Sequence, residues 1–195
     1  MREPVFRRFF LAFRPPRAVA AEIAFWRESF LFGGRPVANE RLHMTMFMLG
    51  NFDRVPHDLI ARVKEALSTP MPACRIVLDQ LAGGGGSALL VPSEPVRGLR
   101  DFQACLAGRL QRSGIGHAPW WRFSPHVSLL YDHGYCGQCP IDAISWSADE
   151  LVLVESLVGR STHIGHAVWP LGEPHAITRP GPAEAPSRSA PAPVR

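Results

Sequence analysis

Two short stretches carry polar side chains where an apolar strand has no structural need of them: His43 and Thr45 in "RLHMTMFMLGNF", and His126 and Ser128 in "FSPHVSLLYD". Residues two apart lie on the same face of a strand, so each histidine shares a face with a hydroxyl while Leu42, Met44 and Met46, or Val127 and Leu129, point the other way. An imidazole with an unperturbed pKa of about 6.5 holds or releases a proton near neutrality. Two facing imidazoles can therefore divide a reaction, one protonating a leaving oxygen and the other taking a proton from the nucleophile. The hydroxyl, about 6 to 7 Å further along the strand, can donate a hydrogen bond to a phosphate oxygen. A phosphodiester, whose attacking and leaving oxygens lie on opposite sides of phosphorus, suits such a layout, and the scheme calls for no metal ion.

The positioning elements are legible along the chain. "RRFFLAF" reads as a strand that stops at Pro15 and Pro16, and Val19, Ile23, Trp26 and Phe30 then mark one apolar face of a helix. "GGRPVANE" reads as a loop and "GNFD" as the turn closing the first histidine strand. Residues 56–67 are helical in pattern, and "CRIVLDQL" and "SALLVP" form a hairpin across Gly83 to Gly86. Leu99, Phe102, Leu106 and Leu110 mark a third helix, and "ELVLVESL" and "IGHAVWPL" supply two strands after the second histidine strand. The two halves echo each other and suggest two related lobes, each giving one histidine strand to a shared cleft. We place the folded domain at residues 1–172 and read residues 173–195 as a Pro/Ala-rich disordered tail.

Composition limits the function classes. The chain has 195 residues, 46% hydrophobic and 19% charged, a net charge of +4 and a pI near 9.2, enough for one well-cored domain or two small lobes. Its basic residues are nearly all arginine, Lys64 being the single lysine, so the charge is weak support for a polyanionic partner. The apolar patch "FFLAF" is too short for a signal peptide or a membrane span, which makes a cytoplasmic monomer with no membrane partner the expectation. Cys74 and Cys105 read as core, Cys136 and Cys139 as a loop pair. Cys136 and Cys139 with His133 make at most half of a zinc site, and a zinc-stabilised scaffold is the minor reading. Gly83 to Gly86 lacks the lysine and hydroxyl of a phosphate-cradling loop. Trp120 and Trp121 are read as lobe packing before base stacking, one of Phe9 and Phe10 as lining the cleft floor with Phe10 the candidate, and His163, His166 and His175 as surface or tail.

"GRPVANERLHMTMFMLGNF" together with "FSPHVSLLYD" resembles the 2H phosphoesterase superfamily, and within it the RNA 2′,3′-cyclic phosphodiesterases, also called 2′-5′ RNA ligases. "RRFFLAF" matches the family's first strand, "GRPV" its approach to the first motif, and "VLVESLVGRSTHIGHAVWPL" its closing strands. The resemblance implies an α+β, bilobal 2H phosphoesterase fold, with two pseudo-symmetric lobes whose antiparallel sheets flank a central active-site groove. It implies that His43 is the general acid toward the departing 3′ oxygen, that His126 is the general base, that Thr45 and Ser128 contact the phosphate, and that no cofactor is used. The implied substrate is RNA or an oligonucleotide with a 2′,3′-cyclic phosphate terminus, and the implied product a 2′-phosphate. Relatives often carry an arginine at the position of Tyr131, and a phenol cannot replace a guanidinium on phosphate. Either another arginine such as Arg160 serves, or phosphate affinity is lower, or the preferred diester differs. A non-catalytic nucleotide-binding module is the rival from another class, although a binder has little need of two titrating imidazoles.

Overall fold

In a computed structural model of the chain, residues 6–30 and 33–172 are described. The tail from residue 173, with His175, lies outside the described residues. The first strand, β1 (Arg7–Phe13), ends where Pro15 and Pro16 cannot extend it, and α1 (Arg17–Phe30) starts one residue later. The expected loop instead holds a two-residue strand, β2 (Arg35–Pro36), and a 3-10 turn over Asn39–Arg41. Then follow β3 (Met44–Phe52), α2 (His57–Ala66), β4 (Met71–Pro72), β5 (Cys74–Gly84), β6 (Ser87–Val91), α3 (Arg97–Arg112), β7 (Val127–Tyr131), β8 (Gly137–Ala148), β9 (Glu150–Leu157) and β10 (Thr162–Gly172).

Two five-stranded sheets result, in the orders β3-β1-β9-β10-β4 and β2-β7-β6-β5-β8. Every pairing is antiparallel except the short parallel contact of β10 with β4. The expected two-lobed α+β architecture is present, but the lobes are not consecutive halves of the chain. The first sheet takes β1 and β3 from one end of the chain and β9 and β10 from the other, with β4 at its edge, and the second is built from β5 to β8 with β2 at its edge. In each sheet the histidine-bearing strand heads a run of four, β3-β1-β9-β10 against β7-β6-β5-β8.

Strand alternation divides the first sheet into a core face and a groove face. Phe9, Leu11 and Phe13 with Met44, Met46, Phe47 and Leu153 are buried in the main core, which continues through α2 and α3 to Ile76, Leu90 and Leu129 of the second sheet. Phe10, Ala12, Met48, Val152 and Val154 face the other way and form a small apolar floor with Ala118 and Trp121. Glu155, 1% exposed, is the buried carboxylate of this sheet; Arg7 and His166 both donate to it, the latter over 2.6 Å. His166 is thus held by a hydrogen bond to a buried carboxylate and is not a free surface histidine.

Three sequence expectations need correction. Residues 50–52 do not form a turn: Phe9, Arg8 and Arg7 pair with Gly50, Asn51 and Phe52, so β3 runs the full length of its neighbour. Cys105 is exposed on α3, because Phe102 and Leu106 already occupy the buried stripe. Cys139 belongs to a strand, opposite Leu81, and Pro140 beside it is tolerated because β8 is the sheet edge.

The hairpin across the glycine run is present, with Gly84 paired to Ser87 and positive φ at Gly85 and Gly86, as a tight two-residue turn requires. Gly83 has a different task. A Cβ there would overlap the Tyr135 ring and come within 2.6 Å of its carbonyl oxygen. Gly83→Ala should therefore lower stability by about 1 to 3 kcal/mol, read as a lower urea midpoint, whereas Gly84→Ala, with open space around the added methyl, should cost much less.

Candidate active site

His43 and His126 each stand one residue before a strand, β3 and β7, and each is fixed in the same way. The His43 Nδ1 lies 2.7 Å from the Arg41 carbonyl oxygen and the His126 Nδ1 lies 2.8 Å from that of Ser124. A carbonyl accepts only, so in the neutral rings the proton sits on Nδ1 and Nε2 is left as a bare acceptor for a reacting atom. Thr45 and Ser128 follow two residues later, both half-buried; Thr45 pairs with Ala12 of the groove face and Ser128 with Leu89.

The two motifs are brought together by the chain between α1 and β3. Arg35 and Pro36 of β2 pair with Tyr131 and Leu130 of β7, and the Val37 N–H donates to the Leu129 carbonyl over 2.9 Å. Arg27 of α1, 6% exposed, donates to the Val37 carbonyl over 2.7 Å. The approach to His43 is thereby stitched to the strand that follows His126, and the two rings are close enough for a charge on one to oppose a charge on the other.

Phe10 is where the sequence placed it: its ring stacks on His43 with centroids 4.8 Å apart and planes 23° from parallel. Burial on this floor pushes the His43 pKa down to about 4, against the support of the Arg41 carbonyl, and the neighbouring His126, Arg14 and Arg41 add repulsion. Ligand-free His43 is neutral at pH 7. Tyr131 is half-buried, with the Arg35 guanidinium 5.5 Å over its ring and Arg35 Nε donating to Asp132 over 3.2 Å. Arg160 stands exposed in the turn between β9 and β10, and the arginines acting on His43 are Arg14 and Arg41 instead.

Sequence reasoning missed three residues. Arg41 neighbours the motif and gives its carbonyl to His43. Arg14 continues the alternation of Phe10 and Ala12 one step past the Phe13–Met44 pair, which sets it beside His43. His163 packs edge-on against His43 with centroids 5.1 Å apart, and against Phe10 at 5.7 Å. Desolvation lowers its pKa to about 4, with further repulsion from His43, Arg41 and Arg14. The missing signal was nonlocal, since only the pairing of β10 with β9 and β9 with β1 delivers His163 to this face.

The other candidates fall into place around this groove. Trp121 packs against its apolar floor, while Trp120 is 56% exposed with the Arg8 guanidinium 5.3 Å over its ring. Cys136 and Cys139 are free thiols, and among the described residues no three of His, Cys, Asp and Glu gather as a metal-ligand set. A cavity of about 930 Å³ between Phe6, Asn51, Val55 and Arg62 lies at the far end of β3 from His43. Size alone does not mark the site here, whereas converging ionisable groups do. No helix among the described residues is long and apolar enough to cross a membrane.

Comparison with known proteins identifies the family and the fold. The chain is 30% identical over 158 residues to the RNA 2′,3′-cyclic phosphodiesterase of Escherichia coli (strain K12), covering 75% of this chain and 83% of that one. The crystal structure of E. coli LigT complexed with 3′-AMP superimposes with a TM-score of 0.69 at 26% identity, covering 85% of this chain and 98% of that one. A phosphoesterase crystal structure gives 0.70 at 25% identity, with 86% and 99% covered. The profile of the 2′-5′ RNA ligase superfamily matches residues 15–159, most of the described fold and both histidine motifs, and the chain therefore belongs to that superfamily.

Proposed function

We propose that this groove hydrolyses 2′,3′-cyclic phosphate ends of RNA or small nucleotides to 2′-phosphates by two-histidine general acid/base chemistry. The observation that carries the proposal is the matched pair of imidazoles, each locked through Nδ1 to a carbonyl two residues back. His126 Nε2 takes a proton from water as the new O–P bond forms. On the other side of phosphorus the P–O3′ bond breaks, and O3′ receives a proton from His43. Thr45 and Ser128 donate to the non-bridging oxygens. The E. coli phosphodiesterase relative and the 3′-AMP complex of LigT support this substrate class. With a 5′-hydroxyl in place of water and the same two roles, the groove joins a cyclic phosphate end to that hydroxyl through a 2′-5′ bond, and the reverse cleavage exchanges the roles.

The acid role imposes a condition. His43 does not hold its proton at neutral pH in the empty groove, so the proton must arrive with the substrate, whose negative phosphate offsets the repulsion from Arg14, Arg41 and His126. Anion binding then raises the His43 pKa above about 4. Between the free and the bound pKa the complex holds one more proton than the free protein, so affinity increases as the pH falls through that window.

Two tests follow. An oligonucleotide ending in a 2′,3′-cyclic phosphate should be turned over in excess EDTA to a 2′-phosphate, and His43→Ala or His126→Ala should each lose on the order of 100- to 10,000-fold in rate. Wild-type turnover by either variant contradicts the assignment. Sulfate, whose charge is constant from pH 8 to pH 5, should bind with net proton uptake in calorimetry across buffers of different ionisation enthalpy. Binding without proton uptake would transfer the acid role away from His43.

A further inference from the structure

The His43 side of the groove concentrates positive and protonatable groups with little to balance them. The charges that act on His43 are His126, Arg14 and Arg41, and those that act on His163 are His43, Arg41 and Arg14; no carboxylate contributes to either. Glu150 acts on Arg14 alone, from an exposed position. Two nitrogens in this cluster are also buried without a hydrogen-bond partner, Arg14 Nε and His163 Nδ1. Buried polar groups left unpaired cost stability, and in native proteins such groups are rare enough to point to a functional role.

The placement of both residues is set by strand register. Arg14 follows the last β1–β3 pair and stands beside His43, on the face shared by Phe10 and Ala12. His163 pairs with Ser156, which on its other side pairs with Arg8, so it reaches the same face from β10. Its ring touches both His43 and Phe10. Arg14 also borders an open cavity of about 460 Å³ with Arg17, Asn39 and Glu40, which leaves its guanidinium room to move. A small turn of the guanidinium, or a flip of the imidazole about its last torsion, presents these nitrogens to a ligand held at His43, the imidazole donating once it carries a second proton.

We propose that Arg14 and His163 hold the non-bridging oxygens of the substrate phosphate from the His43 lobe, facing a second lobe whose β7 offers the Ser128 hydroxyl and, at Tyr131, a phenol in place of a guanidinium. The proposal rests on reading the groove as a phosphodiester site. It differs from the expectation placed on Arg160, whose turn lies at the hairpin tip, and it needs no help from Arg35, which is engaged by Asp132 and Tyr131. A guanidinium on phosphate oxygens makes charge-assisted hydrogen bonds. His163 gains a proton as the anion arrives, since the repulsion it feels from His43, Arg14 and Arg41 is then offset.

The test is sulfate binding to the full chain at pH 6 and pH 8, with cyclic phosphate turnover measured in parallel. Arg14→Gln should weaken sulfate binding roughly 10- to 100-fold, Arg14→Lys less, and Tyr131→Arg added to Arg14→Gln should recover much of the loss by supplying the guanidinium from the facing lobe. His163→Phe should reduce the strengthening of binding from pH 8 to pH 6, and His163→Gln, which keeps a donor but cannot titrate, should do the same with a smaller loss of affinity at pH 8. Unchanged melting temperatures separate these effects from misfolding, and Arg14→Lys and His163→Gln serve where the larger changes do not fold. Wild-type sulfate affinity in folded Arg14→Gln overturns the proposal, as does a wild-type protein that binds no sulfate. Arg14-dependent sulfate binding without hydrolysis of a cyclic phosphate leaves the anion site standing and removes the proposed reaction instead.

Discussion

The site depends on one backbone stitch. Arg35 and Pro36 lie along Tyr131 and Leu130, Val37 donates to Leu129, and Arg27 holds the Val37 carbonyl from the helix behind. These contacts tie the approach to His43 directly to the strand that begins after His126. Each histidine belongs to a different sheet, and this crossing, together with the Ala118 N–H that donates to the Met48 carbonyl of β3, ties the two approaches through backbone as well as through side-chain packing. With it, two imidazoles fixed through Nδ1 in the same way are held near enough to influence each other's charge, the preorganisation that the proposed acid/base chemistry requires.

The second constraint is electrostatic. The groove floor is apolar, built by Phe10, Ala12, Met48, Val152 and Val154, and a low-dielectric floor disfavours charge on the imidazoles above it. His43 and His163 therefore rest neutral while Arg14 and Arg41 remain cationic beside them. In the proposed reading an anionic ligand relieves this arrangement, because it would pair the arginines and draw protons onto the histidines together.

The parts of this design that obey local rules were legible in the sequence. His43 with Thr45 and His126 with Ser128 announce themselves because strand alternation puts each pair on one face, and the four apolar positions of α3 have a helix's spacing. The tight turn at Gly85 and Gly86 follows from glycine's tolerance of positive φ. Parts that depend on strand pairing were hidden. Nothing near Arg14 or His163 signals that the chain's first strand and its last described one will flank His43, and nothing local distinguishes Gly83, which admits Tyr135, from Gly84, which does not. The strand over Gly137–Ala148 did carry a signal in Ile144, Trp146 and Ala148 alternating with Ser145 and Ser147, obscured by the proline and cysteines at its start.

The account makes the two histidines act from opposite sides of phosphorus, and the most direct measurement is the stereochemistry of that displacement. A single diastereomer of a nucleoside 2′,3′-cyclic phosphorothioate, opened in ¹⁸O-labelled water, yields a product whose configuration at phosphorus can be assigned. In-line attack by water activated at His126, with O3′ leaving toward His43, predicts inversion. Retention would require two displacements through a covalent intermediate on the protein, and would contradict the division of labour between His43 and His126.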